Sequence, residues 1–371
     1  MSSGFVNQEN LFTSNFKQKN NLYKKIVQIN QKLPEEITKP IKSKEFVLSL
    51  IGTLIFVIIF NFAAKLYLKE NTTNRGYWLI NKKWELLFKQ KEPVDWLILG
   101  DSSCNQGVVP TIVNERLNTS SINLCTIGDM LSLDNSWMLE KYIQRVGVPK
   151  NILIVHVYDA WGRGINRPVF AQIPLNWGYW KQLEPKINFT KRETSQLFIE
   201  RYIPLYSQNQ SLSQLLKSPG DAFNRSQNLQ LTENGFMIWE KPNPEYVEAQ
   251  KKMHIDITRK YKFNLSSHNR EALEHIAKLA EKHDFNVYLA NSPIYEKLYE
   301  NKDFKAYFGQ LQDTLDGYAA KSDKVHYIRE PITFPKEEME NADHLIYSAA
   351  KVYTNKLISQ IESIQKADNS K

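Results

Sequence analysis

VDWLILGDSSCNQGVVP, residues 94–110, carries the fold assignment. Residues 94–99 form an apolar run of strand length, and Gly100 permits a tight turn. Asp101, Ser102 and Ser103 follow at the strand's carboxyl end, and Pro110 suits the first position of a helix over 110–117. The same texture continues outward. A short strand at 122–124 and a helix over 131–146 come next, then the clearest strand, NILIVHV at 151–157. Further on, a helix over 267–283, a strand at 285–290, a helix over 303–320, a weaker strand at 324–328 and a last helix over 345–365 complete the alternation. Strands alternating with helices imply a parallel sheet covered on both faces, so the expected fold class is α/β.

Residues 160–266 break this pattern with about a hundred residues of mixed loop and helix, too long for a plain connection and read as an insertion. Its start is aromatic, with Trp161, Phe170, Trp177, Tyr179 and Trp180. Two readings stay open. The rings of Trp161, Trp177 and Trp180 could stack on sugars, or the stretch could be a hydrophobic cluster that anchors the insertion.

The chain has 371 residues, 42% hydrophobic and 24% charged, a balance that excludes a fibrous chain, a wholly disordered chain and a multi-span transporter. The exception is FVLSLIGTLIFVIIFNFAA, residues 46–64, which carries no charge. At 1.5 Å per residue it reaches roughly 28 Å, about one hydrocarbon core. No face of it is polar, and it begins too late and runs too long for a signal peptide. The domain reading is a polar basic segment 1–45, a transmembrane helix 46–64, a stalk 65–93 with an amphipathic helix over 79–90, and a domain 94–371. A short helix over 20–33 is expected ahead of Pro34.

The formal net charge is +8, half of it in residues 1–45. The remainder is spread too thinly for a nucleic-acid footprint. The basic segment fits an anionic lipid surface or plain solvation equally well. Lys and Arg flank both ends of the span, so charge alone leaves its orientation open. The two cysteines, Cys104 and Cys125, form neither a disulfide framework nor a zinc site; two buried free thiols are the simpler state and pairing is the alternative. No metal cluster or phosphate-cradling loop is evident, so no metal or cofactor is expected.

Two places could carry chemistry. Gly100-Asp101-Ser102-Ser103 lies beyond a strand's carboxyl end, where open α/β sheets bind ligands. Asn341-Ala342-Asp343-His344-Leu345 precedes the last helix, and a His at the head of that helix could meet Ser102 across the crevice. A hydroxyl needs such a base to become nucleophilic, and the base needs a third group to fix its tautomer. His156 lies inside a strand, and His268, His275 and His283 lie along a helix, so these read as structural or surface residues.

Together these segments resemble the SGNH/GDSL hydrolase superfamily, in particular the membrane-anchored branch found beside bacterial polysaccharide O-acetylation and teichoic-acid D-alanylation systems. The likeness runs from about residue 94 to 357, outside the insertion. VDWLILGDSSCNQGVVP matches the family's strand, nucleophile turn and following block; INLCTIGD matches the second block; NVYLANSP matches the strand ending in Pro; NADHLIYSAAKVYT matches the terminal D-x-x-H-L block. The resemblance implies a flavodoxin-like three-layer α/β/α domain with a parallel sheet behind one transmembrane helix. It implies Ser102 as nucleophile, His344 as general base, and the backbone N–H groups of Ser102 and Gly128 as an oxyanion hole. Asp101 and Asp159 would line the crevice as candidate substrate contacts.

The sequence departs from the family twice. Asn341 stands where the family has its acidic residue; it can accept the ring N–H but carries no charge to stabilise imidazolium. Asp343 is the substitute, although an adjacent residue is poorly placed to reach its neighbour's ring. The third block's Asn is also missing, and the matching stretch offers Asp159, which would repel an oxyanion; Asn166 is an out-of-register replacement. The function so implied is that of a membrane-anchored serine esterase or O-acyltransferase. It would act on an extracytoplasmic glycan or other acyl-bearing polymer through an acyl-serine, with a membrane acyltransferase as candidate partner. The alternative is a catalytically degenerate binding or scaffold subunit of a polysaccharide assembly or modification complex.

Overall fold

The structure, a computed structural model, describes residues 43–218 and 231–369. The short helix expected over 20–33 lies outside them. Two units divide the chain, Met1–Phe60 and Asn61–Lys371. The described part of the first belongs to helix Ser43–Asn71, whose side chains are exposed throughout residues 43–60. That helix is long and apolar enough to cross a membrane.

The second unit is built on a five-stranded parallel sheet in the order β2-β1-β3-β4-β6. The strands are β1 (Trp96–Gly100), β2 (Ser121–Asn123), β3 (Asn151–His156), β4 (Asn286–Asn291) and β6 (Val325–Ile328). This is the flavodoxin-like order, and it reverses direction between β1 and β3, opening a crevice beyond their carboxyl ends. Residues 96–100 of β1 are buried without alternation, as a strand covered on both faces requires. One group of helices comprises Leu131–Arg145 and Ser267–His283, packed together; another comprises Tyr347–Asn369 against Ser102–Gly107 and Pro110–Leu117. The amphipathic helix expected over 79–90 begins earlier, at Arg75, and runs to Lys89. Its Ile80, Trp84 and Leu87 are fully buried in the core.

Two small pairings finish the site's frame. β5 (Ile294–Tyr295) pairs with β7 (Thr333–Phe334), and β8 (Met339–Asn341) pairs antiparallel with β9 (His344–Leu345). The second pairing corrects an expectation. His344 lies in β9, opposite Asn341, rather than at the head of the last helix, which starts at Tyr347. Within the insertion, helix Pro244–Lys260 packs on helix Lys302–Ala319 and on β8, which holds that hairpin in place.

Candidate active site

The turn after β1 is fixed by sterics. Gly100 has φ +146°, and a Cβ there would lie 2.0 Å from the Val155 carbonyl oxygen of the neighbouring strand, so only glycine fits. Asp101 then caps helix Ser102–Gly107. Its Oδ1 accepts from the Ser103 N–H at 3.0 Å and from the Ser103 hydroxyl at 2.5 Å. Its Oδ2 accepts from the Val157 N–H at 2.7 Å and faces His156 Nδ1 at 3.2 Å. Burial alone would push this carboxyl up, but the His156, Ser103 and Val157 contacts outweigh it and hold it well below the usual carboxylate range. Asp101 is therefore an internal brace and not the crevice-lining contact expected from sequence. Ser102, the first residue of the helix, is half-buried.

β9 packs directly against that helix. His344 Nδ1 lies 2.8 Å from Asn341 Oδ1 and 2.9 Å from Asp343 Oδ1. Asn341 Oδ1 also accepts the Asp343 N–H at 3.0 Å, which identifies that atom as the oxygen. Both neighbours of Nδ1 are thus acceptors, so Nδ1 carries the proton and Nε2 is the basic nitrogen. The tight β8–β9 turn explains why an adjacent residue reaches the ring after all: it bends the chain so that residues 341 and 343 both face it. Burial disfavours the imidazolium, yet the Asp343 charge and hydrogen bond outweigh it and raise His344 above its ordinary value. The same pairing overcomes burial to lower Asp343. Glu340 takes no part in orienting the ring; it accepts from Gln106 Nε2 at 2.8 Å and faces Arg75 at 3.6 Å. Among the described residues no hydrogen bond joins Ser102 to His344.

The second-block loop stands beside the turn, with the Thr126 N–H on the Gly100 carbonyl at 2.9 Å. It is tied there covalently. Cys104 and Cys125 form a disulfide with Cα atoms 5.8 Å apart, where the sequence reading preferred two free thiols. Parallel pairing of β1 with β2 brings the two segments together, and the Asn123 side chain bonds the Cys104 carbonyl across the gap at 3.2 Å.

Arg163 is the residue that sequence reasoning missed. A Cβ on Gly128 would lie 2.6 Å from its Nη1, so the guanidinium lies directly over the expected oxyanion loop. It bonds Asp129 at 3.1 Å and both oxygens of Asp159 at 3.0 and 2.9 Å. Those carboxylates overcome its partial burial and raise its already high pKa. Asp159 is accordingly not a bare charge facing an oxyanion. Asn166, the out-of-register candidate, donates to Asp129 at 2.8 Å. The i, i+4 spacing of Asp159 and Arg163 was the available signal.

The aromatic stretch is mostly core. Trp161 is fully buried and packs edge-on against His156, and Trp180 is buried beside Tyr179. Their ring faces are covered by protein, which favours the hydrophobic-cluster reading; Trp177 alone of the three tryptophans is exposed, at 37%.

No family model matches the chain, and no curated protein matches it by sequence. Among solved structures it is similar to a Streptococcus pneumonia protein provisionally described as a platelet activating factor, at 11% identity and a TM-score of 0.35, covering 84% of this chain and 98% of that one.

Proposed function

We propose that the chain is a membrane-anchored serine esterase or O-acyltransferase of SGNH type that works through an acyl-Ser102 intermediate on an extracytoplasmic glycan or similar acyl-bearing polymer. One observation carries the chemistry: His344, packed beside the Ser102 turn, has its Nδ1–H taken by Asn341 and Asp343, which leaves Nε2 as the base. Nε2 accepts the Ser102 hydroxyl proton as Oγ attacks the acyl carbonyl. The resulting oxyanion is held by the backbone N–H groups of Ser102 and Gly128, each such donor contributing about 3–4 kcal/mol of transition-state stabilisation. The imidazolium, stabilised by Asp343, returns its proton to the leaving oxygen. Water or a sugar hydroxyl then attacks acyl-Ser102 by the reverse proton path, which gives hydrolysis or transfer. This mechanism requires Ser102 and His344 to close to hydrogen-bond distance in the substrate complex, as catalytic hydrogen bonds commonly do.

The apolar helix 46–64 supports the anchor, and the disulfide supports an oxidising compartment for the domain. The polymer class and a membrane acyltransferase partner rest on the four resembling segments. A fluorophosphonate probe tests the chemistry: the wild-type chain labels and Ser102→Ala does not. Equal labelling of both, or none of the wild type, would remove the nucleophile assignment. The second reading, a non-catalytic glycan-binding subunit, is favoured by the unbonded Ser102–His344 pair; glycan binding that survives Ser102→Ala in a chain that never labels would establish it.

A further inference from the structure

A cavity of 450 Å³ lies between the distal end of helix Ser43–Asn71 and the insertion, within the roughly 300–1,000 Å³ of small-molecule sites. Its lining is divided in kind. Phe62 and Leu66, which continue the apolar run of the same helix, form one wall with Ile173 and Leu175. Lys65, Lys69 and Arg201 supply three cations, and no Asp or Glu among the described residues lines it. The charges are incompletely used. Lys69 pairs with Glu85 at 3.0 Å, while Lys65 rests over the Tyr202 ring at 5.4 Å. Arg201 Nη2 donates to the Leu175 carbonyl, but its Nη1 is buried with no hydrogen-bond partner among the described residues. Buried donors in native proteins are rarely left so, and Arg201 itself is among the residues that line the cavity.

The position specifies the acceptor. Lys65 and Lys69 follow the apolar run 46–64 within one and a half turns of the same helix, at the level where lysines meet lipid phosphates. Phe62 and Leu66 are 61% and 60% exposed there, beside where acyl chains end. We infer that this cavity is a binding site for the phosphodiester headgroup of an anionic phospholipid, with the phosphate on Arg201 and Lys65 and an acyl chain along Phe62 and Leu66. A zwitterionic headgroup would bring its own cation against three others. The inference rests on the membrane anchor of the proposed function and on none of its chemistry.

The test uses the full-length chain reconstituted in nanodiscs of phosphatidylglycerol with phosphatidylcholine, and native mass spectrometry of the lipid retained on release. Phosphatidylglycerol should be kept at least tenfold over phosphatidylcholine. Arg201→Gln and Lys65→Gln should each lower that retention severalfold, and Arg201→Lys should restore most of it. Among the described residues Lys65 makes no hydrogen bond, so its variant reports on charge even where Arg201→Gln disturbs the loop at Leu175. Equal retention of the two lipids, retention unchanged in both charge variants, or displacement of the lipid by stoichiometric inorganic phosphate would overturn the assignment. Resistance of the same chain to alkaline carbonate extraction is read in parallel. Release by carbonate overturns the anchor and this site together, whereas resistance without selective retention overturns the site alone.

Discussion

Exchanging the two groups that share the His344 Nδ1–H, in the double variant Asn341→Asp/Asp343→Asn, should preserve a reactivity that Asp343→Asn alone loses. The side-chain oxygens at 341 and 343 lie 2.8 and 2.9 Å from the same nitrogen, so either position can hold the ring. What differs is charge. A hydrogen bond to a charged group is worth about 1.5–3 kcal/mol and a neutral one about 0.5–1.5 kcal/mol, so removing the charge while keeping an acceptor costs about 1–2 kcal/mol. That is roughly a 5- to 30-fold slower acylation. Removing both acceptors, in Asn341→Ala/Asp343→Ala, leaves tautomer and orientation unfixed and should cost on the order of 10³-fold or more. The readout is the second-order rate of fluorophosphonate labelling as a function of pH. Nε2 must be unprotonated to act, and Asp343 raises the ring's pKa. The wild-type rate should therefore fall off on the acid side at a pH above the ordinary histidine value of about 6.5. In Asp343→Asn that limb moves to lower pH, and in the exchange variant it moves back. An exchange variant as slow as Asp343→Asn, or an Asp343→Asn chain with the wild-type rate and limb, would refute the shared-donor geometry.

Three further outcomes follow from particular contacts. Asp134 is buried between Thr126 and Trp84, and burial pushes its carboxyl up from 3.8 to about 7. The folded state then holds the proton more tightly, so this stabilisation is complete below about pH 4 and is lost as pH rises through 7, an amplitude of about 4 kcal/mol; urea melts of Asp134→Asn should lack that slope, and an unchanged slope would exclude Asp134 as its source. Replacing Cys104 and Cys125 with Ser opens a loop with a sequence separation of 21, which should cost about 3 kcal/mol of stability and slow labelling, since the nucleophile helix loses its tie to the second-block loop; equal urea midpoints would contradict it. Arg163→Met leaves Asp129 and Asp159 without their common cation, and charges near 4 Å interact by about 4 kcal/mol at an effective dielectric of 20. Labelling should drop at least tenfold and recover in part when Asp159→Asn is added; a wild-type rate in Arg163→Met would remove Arg163 from the site.

The sheet was legible because its signals are long and periodic. The apolar runs at 94–99, 151–157 and 285–290 each fall within a residue or two of an observed strand, and helix Ser267–His283 begins and ends where the pattern does. Parallel pairing followed from alternation, since parallel strands need crossovers, whereas the flavodoxin-like arrangement was implied only by the family resemblance. The site was legible only in part. Gly100 announced the turn because no other residue fits there. The β8–β9 hairpin was invisible, because two- and three-residue strands have no period to read, and with it went the reach of Asp343 to the ring. The disulfide was hidden for a related reason. Cys104 and Cys125 meet through the pairing of β1 with β2, a tertiary consequence that neither local pattern contains.

A second serine and an aspartate flank the proposed nucleophile, with the β3 histidine His156 bonded to that aspartate, and their geometry shows why they cannot replace it. The Ser103 hydroxyl donates to Asp101, not to an imidazole, so its proton faces a carboxylate of strongly depressed basicity. His156 spends Nδ1 on Asp101 and Nε2 on Asn135 at 2.7 Å, which leaves no nitrogen for a substrate. Asp101, Ser103 and His156 are all fully buried. Every side-chain nitrogen and oxygen of this inner set already has a protein partner. The outer set differs in the one respect that chemistry needs. Ser102 is half-buried, and the His344 side chain keeps 13% of its surface open beside it while its Nδ1 is fixed by two acceptors. Adjacent serines on one turn thus differ: the Ser103 hydroxyl closes the hydrogen bonds of the buried carboxylate, whereas among the described residues the half-buried Ser102 hydroxyl makes no hydrogen bond, which is what the proposed nucleophile requires.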